Sequence, residues 1–331
     1  MSLDPELAAL LQHVAGVGSF ADLMADPEGM QRLDAFAGAH LPYSLPDVPV
    51  RSAEAPGPNG PVPVRIYGPV APSVTDGGLP DDGLPDVGGV PGLVWLHGGG
   101  FAAGTLDMRE ADQVARELVQ GTGGVVFSVD YRLARDGVHF PVPHEDALAA
   151  WLWAAAHAGE FGVATDRLCL GGASAGANLA VGAAMYLKDA GEPMPAKLLL
   201  AYPFLHSDLP LTQDAVMAAL PRILRFTADD CRGMVENYIG GPAGMASSYA
   251  MPGGADPEGL PPAAVLACEY DDLRPSAELF VEGLRRAGID VAYRLEEGAI
   301  HGYLNHSAAV SIVRRGLSFL AAELESAKPF Q

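Results

Sequence analysis

A serine flanked by small residues stands where the chain passes from an apolar strand to a helix. The strand ends with Leu-Cys-Leu at 168–170, Gly-Ala-Ser-Ala-Gly occupies 172–176, and apolar residues at helical spacing follow. Small residues at positions 172 and 176 permit a sharp turn that exposes Ser174, and the N-terminus of the next helix favours developing negative charge. We expect Ser174 to act as a nucleophile. The alternative is a glycine-rich turn that carries an ordinary serine.

Three consecutive glycines end an earlier strand, in His-Gly-Gly-Gly-Phe at 97–101. Glycines let the main chain approach a substrate oxygen and turn successive N–H groups towards it, as an oxyanion hole requires. The alternatives are a flexible loop and an anion-binding nest. Because the donors would be main-chain groups, His97 is interpreted as a residue that braces the loop.

A serine nucleophile needs a base, and the base needs an acid to orient it. Acidic residues at 269, 271 and 272 end a later strand, and His301 lies in the loop after the last strand. The chain order Ser, Asp, His is the order of the nucleophile-elbow hydrolases. Of the nine histidines only His301 has this position, although an exposed loop histidine is the alternative. No metal is expected, because His139, His144, His157, His206 and His306 lack the spacing of metal ligands.

Apolar strands and helical stretches alternate along most of the chain. Strands are predicted near 48–54, 62–67, 93–97, 124–130, 167–172, 196–202, 263–270 and 289–296, with helices near 108–120, 143–158, 175–190, 274–287 and 306–325. Helical crossovers of this length impose parallel pairing, whereas the first two strands form an antiparallel edge. The pattern predicts an α/β fold, a mostly parallel sheet of about eight strands with helices on both faces. Site loops are expected at the carboxyl ends of the strands.

Two segments interrupt this rhythm and are predicted to form a two-part helical cap. Residues 1–46 show amphipathic helical spacing, and residues 203–251 are too long for a plain crossover and contain several helical pieces. The catalytic core is then 47–202 together with 252–331. The stretch 69–92 is rich in Gly, Pro and Asp, and no chemistry is assigned to it.

The charge balance excludes several classes of partner. Acidic residues outnumber basic residues 41 to 20, a formal charge of −21 in 331 residues. Such a chain is a poor ligand for a nucleic-acid backbone or an anionic membrane. The three widely spaced cysteines form neither a disulfide framework nor a zinc motif. An acidic N-terminus without a long apolar run makes a soluble cytoplasmic protein the expectation.

Over roughly residues 48–325 the chain resembles the hormone-sensitive-lipase-like branch of the α/β-hydrolase esterases. The resemblance rests on the motifs at 97–101 and 172–176, on Val-Asp-Tyr-Arg-Leu-Ala at 129–134, on Glu-Tyr-Asp-Asp-Leu-Arg at 269–274 and on His-Gly-Tyr at 301–303. It implies a two-part cap and hydrolysis of carboxylic esters, usually of short to medium acyl chains, without a cofactor. The residue roles it implies are nucleophile for Ser174, base for His301, orienting acid for Asp271, and oxyanion donors for the N–H groups of Gly99, Gly100 and Ala175.

The chain departs from the family pattern at several positions. Ala173 stands where the family usually has Asp, Arg135 where it usually has Pro, and Asp272 and Pro275 where it usually has Pro and Asp. None of these changes removes a triad atom. The adjacent Asp271 and Asp272 could nevertheless exchange roles.

These observations favour a serine carboxylesterase. An amidase or formamidase on the same scaffold is the first alternative, and a non-catalytic small-molecule receptor is the second. Residues that flank the motifs and could line the pocket, with core packing as the alternative, are Phe101, Phe204, Leu205, His206 and Tyr303. Apolar residues that could roof the pocket are Leu7, Leu10, Leu11, Phe20, Phe36, Phe204, Leu211, Ile223 and Leu224. A roofed pocket favours dissolved small-molecule esters. The natural ester and the oligomeric state, a homodimer included, stay open.

Overall fold

The computed structural model describes residues 2–69, 89–209 and 215–330, and within these ranges eight strands form one sheet. The strands are β1 (Val50–Ala55), β2 (Val62–Tyr67), β3 (Val90–Leu96), β4 (Val125–Val129), β5 (Val163–Ala173), β6 (Leu198–Ala201), β7 (Ala263–Tyr270) and β8 (Val291–Ile300). Their order is β1-β2-β4-β3-β5-β6-β7-β8. Strand β2 is antiparallel to both neighbours and the other pairs are parallel. The predicted sheet is confirmed. Most of the predicted 69–92 loop lies outside the described residues.

Helices cover both faces of the sheet, as predicted. Those of the described residues are α1 (Pro5–Leu10), α2 (Phe20–Ala25), α3 (Gly29–Phe36), α4 (Asp112–Thr122), α5 (Val142–His157), α6 (Ala175–Ala190), α7 (Ala215–Ala219), α8 (Ala228–Ile239), α9 (Arg274–Arg286) and α10 (Ser311–Glu325). Side chains alternate along β3, so Val94 and Leu96 enter the core under α5, α6 and α9. Leu93 and Trp95 enter the core under α4 and α10.

Two helices begin later than the sequence pattern predicts, and hydrogen bonds from the Gln113 side chain explain the later start of α10. Helix α4 begins at Asp112 and α10 at Ser311. The Gln113 side chain donates to the carbonyl of His306 (2.9 Å) and accepts from the N–H of Ala308 (3.0 Å). These main-chain groups would otherwise be free to join a helical turn. The start of α4 therefore holds the loop that follows β8.

The two segments predicted as a cap pack in different places. In the N-terminal segment, the N–H of Asp4 donates to Gly298 (3.1 Å), and Leu7 and Leu10 are buried in the core under α4 and α10. In the second segment, the carbonyl of Tyr238 accepts from the N–H of Phe140 (2.7 Å). Among the predicted roof residues, Phe20 is 54% exposed, and Leu211 lies outside the described residues. The division into core and cap stays a prediction.

No helix in the described part of the chain is long and apolar enough to cross a lipid bilayer.

Candidate active site

Ser174 occupies the turn between β5 and α6 in a backbone conformation that is rare for a residue with a side chain. Its φ is 52° and its ψ is −114°. The turn is held on both sides, because Ser174 N–H donates to Ala201 (2.9 Å) and the Ser174 carbonyl accepts from Phe204 (3.3 Å). Strain of this kind persists only where the surroundings impose it. The side chain stands at the carboxyl edge of the sheet, where the loops of the site are expected.

The close approach of α6 to β3 explains the glycine at position 176. A Cβ added to Gly176 would lie 2.0 Å from the carbonyl oxygen of Leu96, far inside van der Waals contact. Only glycine lets the first turn of α6 lie against the end of β3. This packing brings Ser174 next to the triple-glycine loop.

Ser174, His301 and Asp271 form one chain of hydrogen bonds. The Nε2 atom of His301 lies 3.0 Å from Ser174 Oγ, and its Nδ1 atom lies 2.7 Å from Asp271 Oδ2. The other oxygen of Asp271 accepts from the N–H of Leu273 (2.8 Å), which orients the carboxylate. In this arrangement the imidazole can accept the serine proton while the carboxylate fixes its tautomer and stabilises its charged form.

The neighbouring Asp272 has different partners. Its two oxygens form a bidentate pair with Arg225 (2.8 and 3.0 Å), and Oδ2 also accepts from the N–H of Phe226 (2.8 Å). Both oxygens are therefore engaged by the 203–251 segment. Of the two adjacent acids, Asp271 alone is hydrogen-bonded to His301 in this structure.

The surroundings of His301 raise the pKa of its imidazole. Burial by itself lowers that pKa, but the negative charge of Asp271 and the hydrogen bond to it outweigh the effect of burial. The rings of Tyr202 and Phe226 stand edge-on to the imidazole, with centroids 4.9 and 4.8 Å away. His301 is therefore a buried imidazole, held by neighbours on several sides, with a strengthened affinity for a proton.

The triple-glycine loop presents free main-chain donors beside Ser174. Gly99 and Gly100 have φ of 119° and 58°, and an added Cβ on Gly99 would lie 2.1 Å from the Ala103 carbonyl. Among the described residues, the N–H groups of Gly99, Gly100 and Ala175 donate to no other main-chain group. The His97 side chain is buried and lies against the loop, with Nδ1 2.7 Å from Gly98 O. The three predicted oxyanion donors are thus unused and lie in two segments that meet at Ser174.

The five residues proposed as pocket lining lie in different surroundings in the structure. The centroid of the Phe101 ring lies 6.1 Å from that of the Phe204 ring, and the main-chain N–H of Phe204 donates to the Ser174 carbonyl. Leu205 is fully buried. His206 Nδ1 lies 2.9 Å from Ser276 Oγ, and its ring packs against Gly253. Tyr303 is buried in the core under α4 and α10, against Gly316.

Sequence reasoning missed several side chains around the site. From the 203–251 segment come Phe226 beside His301, Met234 and Tyr238. Met234 Sδ lies 2.9 Å from where a Gly100 Cβ would stand, and the Tyr238 ring stacks on Phe101 at 4.0 Å. No motif marks these positions, and the spacing of α8 indicates only that one of its faces is apolar. Glu110, ten residues beyond the triple glycine, was also missed.

The cysteines and the other acidic and histidine side chains form no further reactive cluster in the described ranges. Cys169, Cys231 and Cys268 are buried and unpaired, and burial raises the pKa of the Cys169 thiol to about 12. No group of three potential metal ligands occurs among the described residues.

Comparisons with known proteins match most of the chain. A family model described as the α/β-hydrolase fold matches residues 93–305. A carboxylesterase of Mycobacterium tuberculosis is 34% identical over 273 residues, which cover 80% of this chain and 79% of that protein. An ethyl acetate hydrolase of Pseudomonas putida is 28% identical over 98% of this chain and 99% of its own. A solved structure of a hyperthermophilic esterase from Pyrobaculum calidifontis superposes with a TM-score of 0.80 at 31% identity, over 98% of this chain and 99% of that one.

Proposed function

The chain belongs to the hormone-sensitive-lipase-like branch of the α/β-hydrolase family and is a carboxylic ester hydrolase, and on that premise we propose that Ser174, His301 and Asp271 cleave short- to medium-chain esters through an acyl-enzyme. The observation that supports this mechanism most directly is the hydrogen-bonded chain from Asp271 through His301 to Ser174, at 2.7 and 3.0 Å.

The reaction proceeds in two halves. His301 Nε2 takes the proton of Ser174 Oγ as that oxygen attacks the ester carbonyl. The N–H groups of Gly99, Gly100 and Ala175 stabilise the resulting oxyanion. His301 then gives its proton to the departing alcohol, which leaves an acyl group on Ser174. Water repeats the sequence on the acyl-enzyme and releases the carboxylic acid.

The residues around Ser174 favour small substrates. Phe226 lies against the His301 ring, Met234 lies against Gly100, and Ser174 itself is 8% exposed. Apolar side chains beside the histidine and the triple-glycine loop leave limited length for an acyl chain. The name of the Pseudomonas putida relative, an ethyl acetate hydrolase, points to the same size of ester.

Replacing Ser174 with Ala tests the nucleophile. Hydrolysis of a p-nitrophenyl ester should fall by on the order of 10⁴-fold or more, because triad members act as a unit. A fluorophosphonate probe should label the wild type at Ser174 and leave the variant unlabelled. Ser128→Ala, which removes a buried and unpartnered hydroxyl from β4, is the matched control and should keep its activity. A Ser174→Ala enzyme with a tenth of wild-type turnover would refute the assignment.

A panel of p-nitrophenyl esters with acyl chains of increasing length tests the substrate class. We expect kcat/KM to peak at short to medium chains and to show no jump above the critical micelle concentration. The formal charge of −21 opposes adsorption to anionic lipid, where interfacial activation would occur. Preference for long-chain triglyceride emulsions would contradict this proposal while leaving the triad untouched.

A further inference from the structure

A buried carboxyl group that the mechanism does not use lies behind the site. Glu110 is 2% exposed and stands just before α4. Its Oε1 accepts from the N–H of Gly98 (2.7 Å), and its Oε2 accepts from the Tyr202 hydroxyl and from Asn305 Nδ2 (3.2 Å). Its main-chain N–H donates to Asn305 Oδ1 (3.2 Å), and its carbonyl accepts from the Trp95 indole (2.8 Å).

The three partners of this carboxyl group belong to three parts of the active site. Gly98 precedes the two glycines proposed as oxyanion donors. Tyr202 follows β6 and stands edge-on to the His301 ring. Asn305 lies four residues after His301, in the loop that Gln113 also holds. One side chain therefore links the oxyanion loop, the end of β6 and the histidine loop.

The hydrogen bonds of Glu110 fit an ionised carboxylate. The Gly98 N–H and the Asn305 amide nitrogen can only donate, and the bond from Glu110 N–H to Asn305 Oδ1 fixes which way that amide faces. Burial and the nearby carboxylate raise the pKa of Tyr202, so its hydroxyl keeps the proton that it donates. Burial leaves the pKa of Glu110 above its ordinary value, although its hydrogen-bond donors oppose that rise. Three donors face the two carboxyl oxygens, so both oxygens act as acceptors in this geometry.

No cation in the described ranges compensates this charge. Asp272, the other acid near His301 besides Asp271, is paired with Arg225. Glu110 forms no ion pair with a described lysine or arginine. Its other titratable neighbours, Tyr131, Tyr202 and Cys268, are buried and have raised pKa values. The nearby group on which its charge can act is therefore His301.

We propose that Glu110 is a positioning residue of the ester-hydrolysis site, whose carboxylate holds the oxyanion loop and the histidine loop together and supplies a second negative charge that stabilises protonated His301. This inference rests on the proposed function. It assigns a role to a residue outside the Ser-His-Asp set. The charge acts in the same direction as that of Asp271, because each favours the imidazolium that forms in the transition state.

The pH profile of kcat/KM on a short p-nitrophenyl ester distinguishes this role from a merely structural one. In the wild type the rate should rise with pH through a limb set by His301, above its ordinary pKa of about 6.5. Glu110→Gln removes the charge while keeping the size of the side chain. The limb should move to lower pH by about half a unit, because His301 loses a negative neighbour. The plateau rate should fall on the order of 10-fold to 100-fold, because an amide cannot accept from all three donors and the loops shift.

Two variants serve as controls for that shift. Glu110→Asp keeps the charge with a shorter reach, so its plateau should fall while its limb stays at the wild-type pH. Glu296→Gln removes another buried carboxylate, one paired with Arg294 and Arg315, and should leave the limb unmoved. If Glu110→Gln does not fold, Glu110→Asp and Asn305→Ala still decide the tether, since both loosen it and keep the charge.

The outcomes separate this inference from the proposed function. An unshifted limb in folded Glu110→Gln overturns the electrostatic role, and full plateau rates in Glu110→Asp and Asn305→Ala overturn the tether. Neither result affects the triad. Activity retained by Ser174→Ala, or a wild-type profile without a limb, would instead overturn the proposed function.

Discussion

Among single residues, the two adjacent carboxylates at the end of β7 have different hydrogen-bond partners. Asp271 is hydrogen-bonded to the His301 imidazole, and Asp272 to the guanidinium of Arg225. The first contact orients the imidazole that lies beside Ser174 Oγ. The second holds the segment that presents Phe226 to His301.

Substitution of each acid by Asn should therefore give unequal losses. Asp271→Asn should lower kcat/KM by about 10⁴-fold, because an amide cannot stabilise the imidazolium and can favour the wrong tautomer. Asp272→Asn should keep activity within about 10-fold, because it weakens a partly exposed ion pair and one main-chain hydrogen bond but leaves the Asp271–His301 contact in place. Steady-state kinetics on a p-nitrophenyl ester measure both. Equal losses, or the reverse ranking, would transfer the acid role to Asp272 or share it between the two.

At the scale of elements, the site depends on how closely α6 crosses the end of β3. Gly176 makes that approach possible, whereas Gly233 lies on the exposed side of α8 with nothing within 4 Å of an added Cβ. The two positions carry the same residue, but Gly176 is in close contact with β3 and Gly233 faces open space. One is required by packing, and the other only adds entropy to the unfolded chain.

Alanine at these two positions should change stability in opposite directions. Gly176→Ala should lower the free energy of unfolding by about 1–3 kcal/mol or more, because the methyl group forces α6 away from β3. Gly233→Ala should raise it by about 0.5–1 kcal/mol, because alanine is the better helix former. Urea denaturation followed by circular dichroism measures both changes. A Gly176→Ala protein as stable as the wild type would contradict the packing argument.

At the scale of the whole molecule, buried histidines couple stability to pH. Burial lowers the pKa of His97, His144, His206 and His306, the last to about 4. Each is neutral in the folded chain at a pH at which the unfolded chain binds a proton. Stability from this source is present above the ordinary histidine pKa of about 6.5 and is lost as pH falls.

His306→Asn should reduce the amount of stability that the protein loses in acid. Between about pH 6.5 and 4, His306 binds a proton in the unfolded wild type but not in the folded protein. The variant should therefore lose on the order of 3 kcal/mol less of its free energy of unfolding over this range. The substitution keeps a donor for the Tyr303 carbonyl, which His306 Nδ1 approaches at 3.1 Å. Urea titrations at several pH values give the two slopes. Parallel slopes would show that His306 is not the coupled group.

Features that depend on neighbouring residues in the chain were predictable from the sequence. The elbow at 172–176, the glycines at 98–100, the chain order of Ser174, Asp271 and His301, and the alternation of strands and helices are all local patterns, and local sterics decide what they can form. The predicted starts of α4 and α10 were less accurate, since the loops before them are held by side chains far along the chain.

The fold determines which of the two adjacent acids contacts His301, and it places Glu110, Phe226 and Met234 around the site. Residues 110 and 305 are 195 positions apart, and nothing in the local pattern of either indicates the other. Their contact exists because the folded sheet brings the loops after β3, β6 and β8 to one edge. A hydrogen bond between such loops depends on packing that spacing along the chain does not encode.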